Sequence, residues 1–173
     1  AVGAALGTYA GTGTGVALSS DVEAKADAGS RAVIHGKNIS ITAKNTPVLE
    51  ARAVSAGLGL AGVGITKSEA QSKDKALVHV GDDAKLTADE VLTIRSRMDK
   101  PADSTDYNAY AQAIAGAGGV VSGAVGQAFV DMVQETKVSI GSSSGMTAKK
   151  ATIAAEHNDT ENVEMDSVSA GGV

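Results

Sequence analysis

The feature that most constrains this chain is a phrase that occurs three times in diverged form. It reads Ala28-Gly29-Ser30-Arg31-Ala32-Val33, then Val80-Gly81-Asp82-Asp83-Ala84-Lys85-Leu86-Thr87-Ala88, then Ile140-Gly141-Ser142-Ser143-Ser144-Gly145-Met146-Thr147-Ala148. Each copy starts on an apolar residue and a glycine, passes through a short polar turn and reaches an aliphatic residue. A second apolar pair follows each time: Ile39 with Ile41, Leu92 with Ile94, Ala151 with Ile153. Recurrence at a near-constant interval means one structural unit stacked on copies of itself.

The anchors measure the interval. Gly29 and Gly81 lie 52 residues apart and Gly81 and Gly141 lie 60 apart, while Ile41, Ile94 and Ile153 are separated by 53 and 59. Val54-Ser55-Ala56-Gly57 recurs as Val168-Ser169-Ala170-Gly171, with Ala113-Ile114-Ala115-Gly116 between them, and Gly7, Gly59 and Gly118 align. Pro47 and Pro101 fall at one point of the unit. The interval lengthens between Pro101 and Ala113, which predicts an insertion of about six residues at Lys100–Asn108, near Asp103, bulging as a surface loop. The chain divides into units 1–47, 48–101, 102–160 and 161–173 of one array. Because it opens and closes partway through a unit, a piece cut from a longer array is expected. No basic start of a secretion signal precedes the apolar residues of Ala1–Ser20.

Within each unit the period is two. Val22, Ala24, Ala26 and Ala28 alternate with Asp21, Glu23, Lys25 and Asp27. Ala76, Val78 and Val80 alternate with Lys75, Leu77 and His79, and Ala109, Ala111, Ala113, Ala115 and Ala117 form another alternating set. Alternation puts one set of side chains on one face of a strand. Alanine favours helix, but the glycine frequency and the Val and Ile anchors favour strands. Hydrophobic residues make up 43% of the chain and aromatics only 2%. A core of small side chains buries little area per residue and must bring backbones close together, as facing sheets do.

These features predict an all-β chain, a parallel β-solenoid with wide flattened turns of about 52–60 residues. At about 3.3 Å per residue a fully extended turn has a perimeter near 170 Å. One wide turn per unit is favoured over two narrow ones, since the two halves of the unit do not resemble each other. The expected ladder anchors are Val33, Ile39, Ile41, Val78, Val80, Leu86, Leu92, Ile94, Val138, Ile140, Met146 and Ile153.

The stretch Val78 to Ile94 resembles filamentous haemagglutinin-like adhesins, large repetitive surface exoproteins of Gram-negative bacteria. The Ala/Gly-rich runs Ala53–Ile65 and Ala109–Val130 are similar to leukotoxin-like filamentous adhesins. The resemblance covers nearly the whole chain and rests on repeat style, not on a catalytic signature. It implies a right-handed coil, secretion through an outer-membrane partner or as an autotransporter, display at the bacterial cell surface, and a host-cell surface as partner.

No chemistry-bearing constellation emerges. The net charge is −5 with both signs interspersed, which disfavours nucleic-acid binding. The chain has no cysteine, so it carries no disulfide or thiolate metal site. His35, His79 and His157 sit at different phases of the repeat without a second ligand at metal spacing. The acid pairs Asp82 with Asp83, Asp89 with Glu90, and Asp159 with Glu161 read as solvated turn acids; the third copy replaces Asp82-Asp83 with Ser142-Ser143. Gly11-Thr12-Gly13-Thr14-Gly15 lacks the lysine and the strand-to-helix setting of a phosphate loop. The expectation is no catalytic, metal or cofactor site.

The run Tyr107–Val130 has no charge and is long enough to span a bilayer. Its glycine density and alternation favour two β segments with a bend near Gly116–Gly126. The expected function is a non-enzymatic structural segment of a secreted surface adhesin or leukotoxin-like exoprotein. The alternatives are a membrane-active toxin segment using the uncharged runs, and a module that self-associates end to end through unpaired strand edges.

Overall fold

The computed structural model describes residues 1–102, 107–158 and 160–171. The centre of the expected insertion, including Asp103, and the acid Asp159 lie outside these residues. Among the described residues the elements are fourteen strands: β1 (Val2–Leu6), β2 (Tyr9–Ser20), β3 (Glu23–Ala28), β4 (Val33–Asn45), β5 (Leu49–Leu58), β6 (Ala61–Ser72), β7 (Lys75–Val80), β8 (Lys85–Met98), β9 (Ala109–Gly118), β10 (Val121–Met132), β11 (Glu135–Ile140), β12 (Gly145–Thr147), β13 (Lys150–His157) and β14 (Glu161–Ala170). The run Tyr107–Val130 is therefore two strands, β9 and β10, separated at Gly119–Val120.

All pairings are parallel, and each joins a strand to its counterpart one repeat away. Four sheets result. One has the order β1-β5-β9-β14, the second β10-β6-β2 and the third β11-β7-β3. The fourth joins β8 to β4 on one side and to β12 and β13 on the other.

The sequence intervals are the hydrogen-bond register. Glu23 pairs with Lys75 and Lys75 with Glu135, the 52- and 60-residue offsets. Ile41 pairs with Ile94 and Ile94 with Ile153, offsets of 53 and 59. One irregularity explains both departures. Gly36 pairs with Ala88 but Asn38 with Val91, and on the other side Thr147 pairs with Thr87 but Lys150 with Val91. β8 thus carries one more residue than either neighbour between Ala88 and Val91, a bulge.

The tripled phrase is a corner. Arg31, Asp83 and Ser143 occupy one position of the repeat and all have positive φ, at 61°, 57° and 57°. Corners stack by backbone hydrogen bonds: the Arg31 N–H donates to the Asp82 carbonyl (2.8 Å) and the Asp83 N–H to the Ser142 carbonyl (2.9 Å). The glycine is required by this close approach. A Cβ on Gly81 would lie 2.4 Å from the Ser30 nitrogen, and one on Gly141 would lie 2.5 Å from the Asp82 nitrogen.

Two cores differ in chemistry. Between the β3/β7/β11 and β4/β8/β12/β13 sheets lie Val78, Val80, Leu86, Leu92 and Ile94, all essentially fully buried. Burial of each stabilises by roughly 1.5–3 kcal/mol. Between the other two sheets lie Ala51, Ala53, Ala70, Ala109, Ala111 and Ala113 with Ser55, Thr66 and Ser68. Here glycine sets the spacing: a Cβ on Gly64 would lie 2.3 Å from the Gly116 carbonyl oxygen, and one on Gly57 2.5 Å from that of Val63.

Four alignments need correction. Ala113-Ile114-Ala115-Gly116 pairs with Ala53-Val54-Ser55-Ala56, one residue away from the expected match to Val54-Ser55-Ala56-Gly57. Val33 pairs with Lys85 on the outer face and is 76% exposed; the inward anchor of the first repeat is Ile34, which pairs with Leu86. Gly59 stands above Gly119, not Gly118, because Leu58 pairs with Gly118. Val168 aligns through Gly116 with Ala56, so Val168-Ser169-Ala170-Gly171 repeats Val54-Ser55-Ala56-Gly57 two residues out of register. A two-residue slip preserves which side chains face inward, so alternation alone does not detect it. Ile140 and Ile153 share inward positions with Val80 and Ile94 but lie on the last copies of their sheets and remain about half exposed.

Candidate functional site

The polar groups fall into four clusters. The first is inside the small-residue core. Ser55 and Thr66 share a hydroxyl–hydroxyl hydrogen bond of 2.6 Å, Thr66 Oγ1 donates to the Ile114 carbonyl (2.9 Å), and Ser68 Oγ donates to the Ala51 carbonyl (2.7 Å). These hydroxyls tie facing sheets together. The Gly11–Gly15 stretch belongs here: it lies within β2, and Thr14 Oγ1 donates to the Val54 carbonyl (3.1 Å). It is a strand, not a phosphate cradle.

The second cluster consists of two buried corner residues that sequence reasoning missed. Asp74 is fully buried, and its carboxylate accepts from Ser20 Oγ (2.7 Å), the Val22 N–H (2.7 Å) and Ser72 Oγ (2.6 Å). Its counterparts in the neighbouring repeats are Val22 and Gln134, so no repeating signal marks it. Asn108 is fully buried directly before β9. Its Nδ2 donates to the Pro47 and Asp99 carbonyls (3.0 and 2.8 Å) and its Oδ1 accepts from the Thr160 N–H (2.9 Å). Asn108 thereby links three successive repeats. A lone asparagine after an insertion is the only sequence trace of that role. Both residues satisfy buried backbone groups, which is a structural duty.

The third cluster is on the outer face of the β1/β5/β9/β14 sheet, where two of the chain's three tyrosines meet. Tyr107 and Tyr110 stack with centroids 5.9 Å apart, and the Arg52 guanidinium lies 5.0 Å from the Tyr110 centroid. Arg52 pairs with Glu50, and Tyr110 Oη donates to Glu164 (2.5 Å). Burial, reinforced by the Glu164 carboxylate, pushes the Tyr110 hydroxyl up to about 12.

The fourth is a ladder of charges on the outer face of β4, β8 and β13. Lys44 Nζ lies 3.1 Å from the nearly buried Asp99, Arg97 also pairs with Asp99, and Arg95 and Arg97 lie 3.5 and 3.8 Å from Glu156. The register sets the like charges Lys44 and Arg97 side by side, and Asp99 and Glu156 offset them.

The expected candidates remain separate. His35 lies 3.2 Å from Asp89, on the same face as the Lys37–Glu90 pair (3.5 Å). His79 is in β7 and His157 ends β13. Asp82 accepts from the Ser142 hydroxyl (2.9 Å) and N–H (2.7 Å), and these bonds hold its carboxyl below the usual range, with His79 adding a smaller effect. It therefore ties one corner to the next. No group of three or more His, Cys, Asp or Glu side chains among the described residues could hold a metal ion. No helix among them is long and apolar enough to cross a membrane. No protein-family profile, curated protein or solved structure matches the chain.

Proposed function

We propose that the chain is a non-enzymatic scaffold, a segment of a right-handed parallel β-solenoid with one wide, flattened turn per repeat. In this reading it belongs to a secreted bacterial surface protein of the filamentous haemagglutinin-like or leukotoxin-like kind and carries binding elements away from the cell. The observation that supports the reading is the register. Every paired strand meets its counterpart one repeat away, in all four sheets, so backbone hydrogen bonds run along a single stacking direction. Polar groups are spent on holding repeats together: Asp74, Asn108 and Asp82 each bond across them. The host-cell contact and the outer-membrane secretion partner rest on the resemblance.

A scaffold of this kind bears load along its ladders. Pulled by its two ends in a force spectrometer, the chain is expected to lengthen in successive steps of one repeat. Each step releases 52–60 residues, or roughly 180–210 Å of contour at about 3.5 Å per residue. Extension in one continuous slide at negligible force would overturn the reading.

A further inference from the structure

Exposed apolar side chains line one edge of the molecule, where β1 turns into β2, β5 into β6 and β9 into β10 at Gly7-Thr8, Gly59-Leu60 and Gly119-Val120. Leu6, Tyr9, Leu58, Leu60, Ile65 and Val121 are each at least half exposed there, from 50% for Leu58 to 86% for Leu6. A continuous apolar surface of this size on a folded chain marks an interaction site. We infer that this edge, folded as it stands, docks into the hydrocarbon of a lipid bilayer leaflet.

Three observations select lipid as the occupant. The first is that the edge is apolar on both outer faces and around its rim. Leu6 and Leu58 are on the face of β1 and β5, Ile65 and Val121 are on the opposite face of β6 and β10, and Leu60 is on the rim. A flat protein partner, or a second copy of this chain, covers one face and leaves the other in water. Only a fluid apolar medium surrounds all of it.

The second is charge. No Asp, Glu, Lys, Arg or His side chain interrupts Ala1–Thr8, Val54–Thr66 or Ala109–Val130. The first charges back from the rim in the middle repeat are Arg52 on one face and Lys67 on the other. Ser55 bonds Thr66 and Ala51 bonds Ser68 across the core, so Arg52 and Lys67 stand at one level. From that level to the rim, Arg52 to Leu58, the strand spans about 20 Å. A leaflet's hydrocarbon is about 15 Å deep, half of a ~30 Å core, so both cations would reach the headgroups. On β14 the charge-free stretch is shorter, because Asp166 pairs with Ile114.

The third is the backbone. Lipid offers no hydrogen-bond partner, so any strand or turn entering it must be satisfied internally. The turns at the rim meet part of that demand by bonding from repeat to repeat. The Gly7 N–H donates to the Leu58 carbonyl, Gly59 to Gly118 and Gly119 to Ala170, each at 3.0 Å, while Ala61 donates to Thr8 and Val121 to Leu60, also at 3.0 Å. The interior is closed by backbone contact at Gly57, Gly62 and Gly64. These repeat-to-repeat bonds hold the β form at the rim, unlike the helical insertion that an uncharged run of this length first suggests.

The test uses the absence of cysteine. A Leu60→Cys variant carrying an environment-sensitive fluorophore is mixed with phosphatidylcholine vesicles, beside a Thr93→Cys variant labelled on the outer face of β8. The expected result is vesicle binding, a blue shift at position 60 with quenching by acyl-chain-brominated lipid, and no change at position 93. Leu6→Lys with Ile65→Lys, one on each face and both exposed, is expected to lower partitioning at least tenfold with an unchanged β-type circular dichroism spectrum. Four results would each overturn the inference: no binding, equal shifts at both labels, binding that survives the double lysine variant, or conversion to helix on the vesicles. A blue shift at position 60 without vesicles, with doubled mass on sedimentation, would assign the edge to a second copy and also overturn it.

Discussion

The two halves of each repeat solve the same packing problem with opposite materials. The half built from β3, β4 and their counterparts fills the space between sheets with Leu86, Leu92, Ile94, Val78 and Val80. The half built from β1, β2 and their counterparts brings the sheets together until little more than alanine, serine and glycine fit between them. In the first, area buried per side chain supplies the stability and a lost methyl leaves a cavity. In the second, backbone proximity and hydroxyl bonds carry it, and an added methyl has nowhere to go. The small-residue half also leaves its larger apolar residues outside, since its interior cannot hold them; this is why Val63, Ile65 and Val125 are exposed.

The largest effect expected is at Ile94. Replacing it by Asp puts a carboxylate into a fully buried ladder position between Ile41 and Ile153, and a loss above about 4 kcal/mol is expected. Thermal melting and limited proteolysis read it, and an unchanged melting temperature would remove the aliphatic ladder from the account. Next come two glycine-to-alanine changes that separate the close approach from composition. Gly64→Ala meets the Gly116 carbonyl at 2.3 Å and is expected to cost about 1–3 kcal/mol. Gly11→Ala has open space around the new methyl and is expected to stay within about 0.5 kcal/mol of the parent. Equal effects would break the comparison.

The two smallest effects probe each half by pH. On the small-residue half, the Tyr110 hydroxyl is raised from 10.0 to about 12. A raised folded value means that its contribution is complete below pH 10 and is lost as the pH rises toward 12. Ultraviolet titration of Glu164→Ala should bring that one tyrosine back toward 10. On the aliphatic half, the Asp82 carboxyl is lowered by its two bonds from Ser142. A lowered folded value means a contribution present above the ordinary carboxylate value and lost as acid protonates the folded group. Asp82→Asn should flatten the acid limb of a melting-temperature profile slightly and leave neutral stability near the parent's.

Most of the strand arrangement was legible, because parallel stacking makes like residues neighbours and leaves the interval in the chain itself. The offsets between Gly29, Gly81 and Gly141 are hydrogen-bond registers. What misled was local: Val33 looked like an anchor because it follows the turn, but Ile34 faces inward. Asp74 and Asn108 were illegible because each acts once. Repetition reveals a position only when the same residue type recurs, and Val22, Asp74 and Gln134 share a corner without sharing chemistry.

The sequence by itself determined the period, the alternation and hence which side chains share a face, because these follow from two-residue strand geometry and from stacking of like on like. Only the tertiary structure decided that the 53- and 59-residue intervals come from one bulge in β8, that glycines bring facing backbones into contact, and that Leu58, Ile65 and Val121 lie on two sides of one uncharged edge. Those depend on distances between residues far apart in the chain, and alternation records a side chain's face but not the separation of that face from the next.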